Sequence, residues 1–308
     1  MDFRQRTVSR SVTCSGIGLH TGQSGQLTIC PAEADEGITF VRTDLPGQPA
    51  VPARTEYVVS NLLSTTIGLN GAAISTVEHL LAALAGTGID NARILIDAPE
   101  VPALDGSAAQ FVELLRQAGS RVQARPRRYL LVRRPLSVVD GDRYVLIAPS
   151  DRLRLSCTID YEHPVISTQS IDLTFSDQAF VRDIGPARTF GFLDEYEALK
   201  ANGLARGGSL DNAVVVGPDK VLNGGGLRFR DEFVRHKVLD FIGDLALVGR
   251  PVIGHFEIYK SGHALHHRVT ELLQTSPHVQ EAVLSSAEEA REHQVQVPTF
   301  GLVKAYAA

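Results

Sequence analysis

Twice along the chain, short segments rich in β-branched residues give way to a helix carrying a histidine, then a strand, a glycine-containing loop and a second helix. This order constrains the fold more than any other feature. In the first half, residues 26–29 and 37–41 read as strands, and residues 75–85 as a helix stopped by Gly86. A strand at 92–96 and a turn-rich loop with Pro99, Pro102 and Asp105-Gly106 follow. Ser107 then caps a helix over 108–118 that ends at Gly119. In the second half, strands are expected at 129–132, 144–147 and 153–159. A long helix opens at Asp231 and runs to Val248, with Gly249 and Pro251 ending it. A strand over Val252–Tyr259, the loop Ser261-Gly262 and a helix over 264–274 complete the second copy. The basic stretch 121–128 reads as a linker. A repeat of this size means a pair of similar domains and not a solenoid, whose units are shorter. Strand runs followed by helices point to α+β layers. The expected fold is therefore two similar α+β domains, residues 1–122 and 129–308, each a β-sheet layered against helices, with a site at their interface.

Composition narrows the function. The 308 residues are 44% apolar, enough for a core in each half, and carry a net charge of −5. A mildly acidic chain without Trp has neither the field nor the stacking surface for nucleic acid, so no such partner is expected. Cys14, Cys30 and Cys157 are dispersed, with no CxxC, so neither a disulfide framework nor a cysteine zinc site is suggested. The polar N-terminus does not read as a signal peptide, and no run is long enough for a membrane span. A cytoplasmic monomer without stable membrane insertion is expected, with His and carboxylate as the ligands of any metal.

The segment His236-Lys237-Val238-Leu239-Asp240 puts an imidazole and a carboxylate one helical turn apart on one face, and Asp244 continues the stripe. Two readings stand: half of a metal site, or the solvated stripe of an amphipathic helix. His79, within an apolar helix, is either a further ligand or a core histidine. Glu78 is also ambiguous. Ser75-x-x-Glu78 matches a capping box, in which the carboxylate reaches back to the cap's own N–H. Yet a Glu next to a ligand His points about 100° around the helix, away from the metal and toward a water. Two imidazoles and one carboxylate suit zinc and leave its fourth position open. His263, after Gly262, is a candidate proton donor to a leaving amine, with Asp244 holding it charged. His266 and His267 compete for that role.

The motifs Gly16-Ile17-Gly18-Leu19-His20-Thr21-Gly22, Ser75-Thr76-Val77-Glu78-His79-Leu80, Leu104-Asp105-Gly106-Ser107-Ala108, Ala187-Arg188-Thr189-Phe190-Gly191-Phe192, Glu232-Phe233-Val234-Arg235-His236-Lys237 and Lys260-Ser261-Gly262-His263 occur in this order. Together they resemble the UDP-3-O-acyl-N-acetylglucosamine deacetylase family, which carries out the committed step of lipid A synthesis. The resemblance spans residues 4 to 270. It implies zinc on His79, His236 and Asp240, with ferrous iron as the alternative metal. It also implies Glu78 as general base, His263 as the cation that stabilises the transition state or protonates the amine, and Thr189 as donor to the oxyanion. Lys237 and Phe190 would contact the UDP-linked acylated glucosamine. A β-α-β insert, residues 192–216, would form an acyl tunnel lined by Phe192, Leu193, Tyr196, Leu199, Leu204 and Leu210, with Leu62 and Leu63 at its mouth. A small local core explains the same apolar residues. The chain departs from the family at Arg143, where a lysine is expected; arginine keeps the charge and binds pyrophosphate bidentately. A zinc hydrolase of another N-acyl sugar or nucleotide, and a non-catalytic nucleotide-sugar or lipid binder, are the competing functions.

Overall fold

The computed structural model describes residues 3–298 and 300–301. Five strands open the chain: β1 (Arg4–Val8), β2 (Val12–Ile17), β3 (Ser24–Pro31), β4 (Ile38–Arg42) and β5 (Ala50–Pro52). Three short strands follow, β6 (Val58–Ser60), β7 (Thr66–Leu69) and β8 (Ala72–Ile74), and then α1 (Glu78–Thr87), β9 (Ala92–Ile96) and α2 (Ala109–Ala118). The second half begins with β10 (Ser120–Val132), β11 (Leu136–Asp140), β12 (Arg143–Ala148), β13 (Leu153–Asp160) and β14 (Thr168–Thr174). A short turn, α3 (Asp177–Ala179), leads to β15 (Phe190–Phe192), α4 (Tyr196–Ala201) and β16 (Val214–Val216). The chain continues with α5 (Glu232–Leu245), β17 (Val252–Tyr259), α6 (His263–Thr275), β18 (Val279–Leu284) and α7 (Ala287–Glu292). The mixed α+β class expected from the sequence is the class observed.

The first half forms a sheet in the order β2-β3-β9-β4-β5, and the second contributes most of a larger sheet running β1-β10-β17-β12-β11, joined by β13, β14 and β18. Two helices lie at the centre. Nearly every side chain of α1 is buried, and so is all of α5 except Arg235 and Lys237. A helix buried all round has no solvent face and must sit between layers. Accordingly, α1 packs on α2 and α5, while α5 also packs on β13, β14 and α6. Gly243 permits the α1–α5 approach: a Cβ there would lie 2.0 Å from the Glu78 carbonyl oxygen. This contact brings Glu78 and His79 alongside Asp240 and Asp244.

Three expectations need correction. Residues 121–128 are not a linker. They belong to β10, whose early residues pair with β1 and whose later ones pair with β18 and β17. The basic, apolar-poor composition that suggests a linker belongs to a strand with Arg121, Arg125 and Arg128 exposed and Arg127 buried against Asp90. The α1 helix starts three residues after Ser75, because Ser75 bridges to the Pro99–Glu100 segment and Thr76 takes a positive φ of 57°. Its stop is Gly88, at φ 74°, and Gly86 instead packs against the Phe180 ring. His263 is the first residue of α6 and not a loop residue. Beyond Pro277, the chain adds β18 to the large sheet and packs α7 beside it. No helix among the described residues is long and apolar enough to cross a membrane.

Candidate active site

His79, on α1, and His236 and Asp240, on α5, converge at the helix crossing. One ligand atom from each lies within 4.8 Å of the others, and the residues are only 4%, 1% and 2% exposed. The Nε2 atoms of His79 and His236 stand 3.5 and 3.2 Å from Asp240 Oδ1. That oxygen is buried and makes no hydrogen bond among the described residues. A buried carboxylate oxygen without a donor is costly. Two imidazole nitrogens aimed at the same point, with no hydrogen bond made to it, are the donor set of a cation. His236 Nδ1 lies 3.1 Å from the Ala187 carbonyl, which holds the ring in the tautomer whose Nε2 lone pair faces the cluster. Burial pushes His236 down to about 3, so its imidazole is neutral as a ligand must be. Although burial opposes its charge, the charged neighbours of Asp240, the Lys237 ammonium among them, hold it well below the usual carboxylate range. The residues fit a divalent metal.

Two titratable groups, Glu78 and His263, flank the cluster. Glu78 does not cap α1: its Oε2 accepts from the Thr65 backbone N–H at 3.0 Å, while Ser75 Oγ donates to the Pro99 carbonyl at 3.2 Å. Burial pushes Glu78 up to about 7, against the pull of His263 and His79. His263 Nδ1 donates to Asp244 Oδ2 at 2.7 Å. Burial disfavours its charge, but Asp244, Glu78 and Asp240 outweigh this and raise it to about 9. His266 also donates from Nδ1 to Asp244 Oδ2, at 2.7 Å, and its Nε2 lies 2.8 Å from Ser261 Oγ. Both its nitrogens are thus occupied inside the protein. His267 lies near Glu271, at 3.6 Å. Of the three neighbouring histidines, His263 is the one lining the cleft.

The cleft has a volume of about 780 Å³, and its wall contains His79, His236, Asp240, Glu78, His263 and Thr189, with Asp244 behind His263. Thr189, on the cleft wall, is tied through its backbone, its N–H donating to Gly106 O at 2.8 Å and its carbonyl accepting from Val214 N at 2.7 Å. Lys237 Nζ sits 2.9 Å from Asp240 Oδ2 and 5.4 Å above the Phe190 ring. Arg143 is exposed at the rim, at the start of β12. Parallel strands β15 and β16, joined across α4, carry the apolar arm. There Phe192, Leu193, Tyr196, Leu199 and Leu210 line the wall, and Leu63 joins from the first half at φ 61°. Leu62 and Leu204 do not line it. A second cavity, about 130 Å³, lies among Leu81, Leu84, Ile242 and Phe300 and contains none of the histidines.

Sequence reasoning missed three contributors. Buried Glu100 accepts from His20 N, Thr21 N, Thr21 Oγ1 and Thr76 Oγ1 at 2.7 to 2.9 Å, and so pins the loop carrying His20 against the entrance to α1. Tyr161 stands against both Phe190 and Phe192, with ring centroids 5.9 and 5.8 Å away. Thr65 touches both Glu78 and Asp244. None of the three lies in a local pattern that marks it; a carboxylate directly after Pro99 was the one available hint.

Residues 5–275 match the family described as UDP-3-O-acyl N-acetylglycosamine deacetylase. The UDP-3-O-acyl-N-acetylglucosamine deacetylase of Myxococcus xanthus (strain DK1622) is 54% identical over 281 residues, covering 91% of this chain and 90% of that protein. The protein of the same name from Anaeromyxobacter sp. (strain Fw109-5) is 51% identical over 275 residues, 89% of this chain and 90% of its own length. That of Anaeromyxobacter dehalogenans (strain 2CP-C) is 46% identical over 307 residues, 99% of both chains.

Proposed function

The chain belongs to the UDP-3-O-acyl-N-acetylglucosamine deacetylase family, and from that premise we propose that His79, His236 and Asp240 hold a zinc ion for deacetylation while Glu78 and His263 handle its protons. The reaction, a step of lipid A biosynthesis, hydrolyses the N-acetyl amide to acetate and a free amine. Asp240 Oδ1 carries this reading: a buried, orphaned carboxylate oxygen faced by two imidazole nitrogens.

A zinc ion held by His79, His236 and Asp240 would acidify water and polarise an amide carbonyl. Glu78 takes the proton from the attacking water as its oxygen adds to the acetyl carbon. Its raised affinity for protons suits a general base working near neutral pH. Thr189 donates its hydroxyl to the carbonyl oxygen as that atom gains charge. His263, held cationic by Asp244, gives a proton to the departing nitrogen as the C–N bond breaks. Lys237 stays charged beside Asp240 and offers its ammonium to the substrate. Arg143 at the rim suits the pyrophosphate of the UDP group. The apolar arm through Phe192, Leu199 and Leu210, with Leu63 at its mouth, suits the acyl chain. A cytoplasmic location goes with this reading, and the three unpaired cysteines accord with a reducing compartment.

The test is acetate release from UDP-3-O-acyl-N-acetylglucosamine by purified protein, before and after chelation and after return of zinc or ferrous iron. Activity that tracks metal content is expected. Undiminished acetate release from protein shown to be metal-free by elemental analysis would sink the metal assignment.

His263 also sets an expected pH response. Its proton is required, and against burial Asp244 and Glu78 hold it on the ring above the usual imidazole range. The rate therefore falls as pH rises beyond that raised value. The falling limb should vanish in His263→Gln, whose residual rate is low at every pH. A variant that keeps both wild-type turnover and the limb contradicts the assignment.

A further inference from the structure

We infer that Thr65 is a positioning residue that holds the general base and the proton donor in register, an inference that rests on the roles given above to Glu78 and His263. Thr65 comes from the first half of the chain, between β6 and β7, and is 2% exposed. Its backbone N–H donates to Glu78 Oε2 at 3.0 Å. Its hydroxyl donates to Asp244 Oδ1 at 2.5 Å and lies 3.3 Å from His263 Nδ1. The residue is itself anchored, since its carbonyl accepts from Val77 N at 3.3 Å, one residue ahead of α1. A single residue thus touches a carboxylate on α1 and a carboxylate on α5.

The arrangement around Asp244 shows what the hydroxyl does. One carboxylate oxygen, Oδ2, serves two imidazoles, those of His263 and His266, each at 2.7 Å. The other, Oδ1, is held by Thr65. With both oxygens occupied the carboxylate plane cannot turn, and the His263 ring keeps a fixed partner. Without the hydroxyl, Oδ1 is left buried and unpaired, and the group is free to twist toward whichever donor relieves it. His263 then loses its orientation, although every group that touches the substrate remains. The hydroxyl sits on Cβ, so it and the N–H of the same residue are joined through two carbons. The spacing between base and acid is then set by one short covalent path. Reacting groups displaced by an ångström lose about a hundredfold in rate, so a tether of this kind has kinetic weight.

Steady-state kinetics, zinc content and melting temperature of the full chain test this. Thr65→Val keeps the shape and the backbone N–H and removes only the hydroxyl. The expected result is about a tenfold fall in kcat, with KM and zinc content unchanged and turnover restored by Thr65→Ser. In a His263→Gln background the same Thr65→Val change should cost less than twofold, because the hydroxyl acts through His263. If valine lowers the melting temperature below that of the assay, Thr65→Ser against Thr65→Ala makes the same comparison in a smaller side chain. Wild-type kcat in Thr65→Val, or an equal loss in both backgrounds, overturns the inference. Wild-type turnover in His263→Gln alone overturns the reading on which it rests.

Discussion

Asp240→Ala should lose its metal and at least about 10³-fold in deacetylation rate, because a metal ion supplies several kcal/mol of transition-state stabilisation that no other group here replaces. It should also lose stability, for a separate reason. Lys237 Nζ lies 2.9 Å from Asp240 Oδ2, and both side chains are largely enclosed. Removing one partner of a buried ion pair leaves the other charge uncompensated, at a cost of about 3–5 kcal/mol. Part of that is offset, because Asp240 also repels the buried Glu78 carboxylate. Elemental analysis reads the metal, a thermal melt of the metal-free protein reads the ion pair, and acetate release reads the rate. Asp240→Asn keeps the volume and separates charge from packing. A variant at this position that retains stoichiometric zinc and its rate would show that the three-residue cluster is not the metal site.

Glu78→Gln should keep its metal and lose about 10²–10⁴-fold in rate, the usual worth of a positioned general base. Glutamine preserves an oxygen for the Thr65 N–H, so the local structure has no cause to move. The melting temperature should be unchanged or raised, since burial already disfavours the carboxylate that glutamine replaces. This outcome separates the two roles the sequence allowed. If Glu78 served only as a capping residue, glutamine, which fills the same capping position, would leave melt and activity intact, and Glu78→Ala would lower the melt with activity per folded molecule intact. The observed bonds of Ser75 and Glu78, which go to different partners, are why the catalytic outcome is expected.

How much of the site was legible follows from how local each signal was. His236 and Asp240 share one face of one helix, so spacing placed them together. His79 lies 157 residues earlier, and only the repeated order of elements and the family motifs put it with them. Glu78 was visible but ambiguous, because a capping box and an adjacent base use the same local pattern. His263 and His266 were indistinguishable by spacing. Burial and the bond between His266 and Ser261 separate them. Glu100 and Thr65 were invisible, since each acts through partners far away in the chain.

The sequence by itself determined the α+β class, the two histidine-bearing helices and the family, because hydrophobic periodicity, helix stops and ordered motifs are written locally along the chain. It also marked residues 121–128 as polar without revealing a strand, because β10 owes its form to pairing with β1, β17 and β18 and not to its own composition. Only the tertiary structure decided that Asp240 Oδ1 is orphaned between two imidazoles, that Glu78 is held by Thr65, and that Asp244 divides its oxygens among Thr65, His263 and His266. The physical reason is the close crossing of α1 and α5 at Gly243. Direct contact between distant helices sets these distances to within an ångström, and no spacing along one chain segment can encode them.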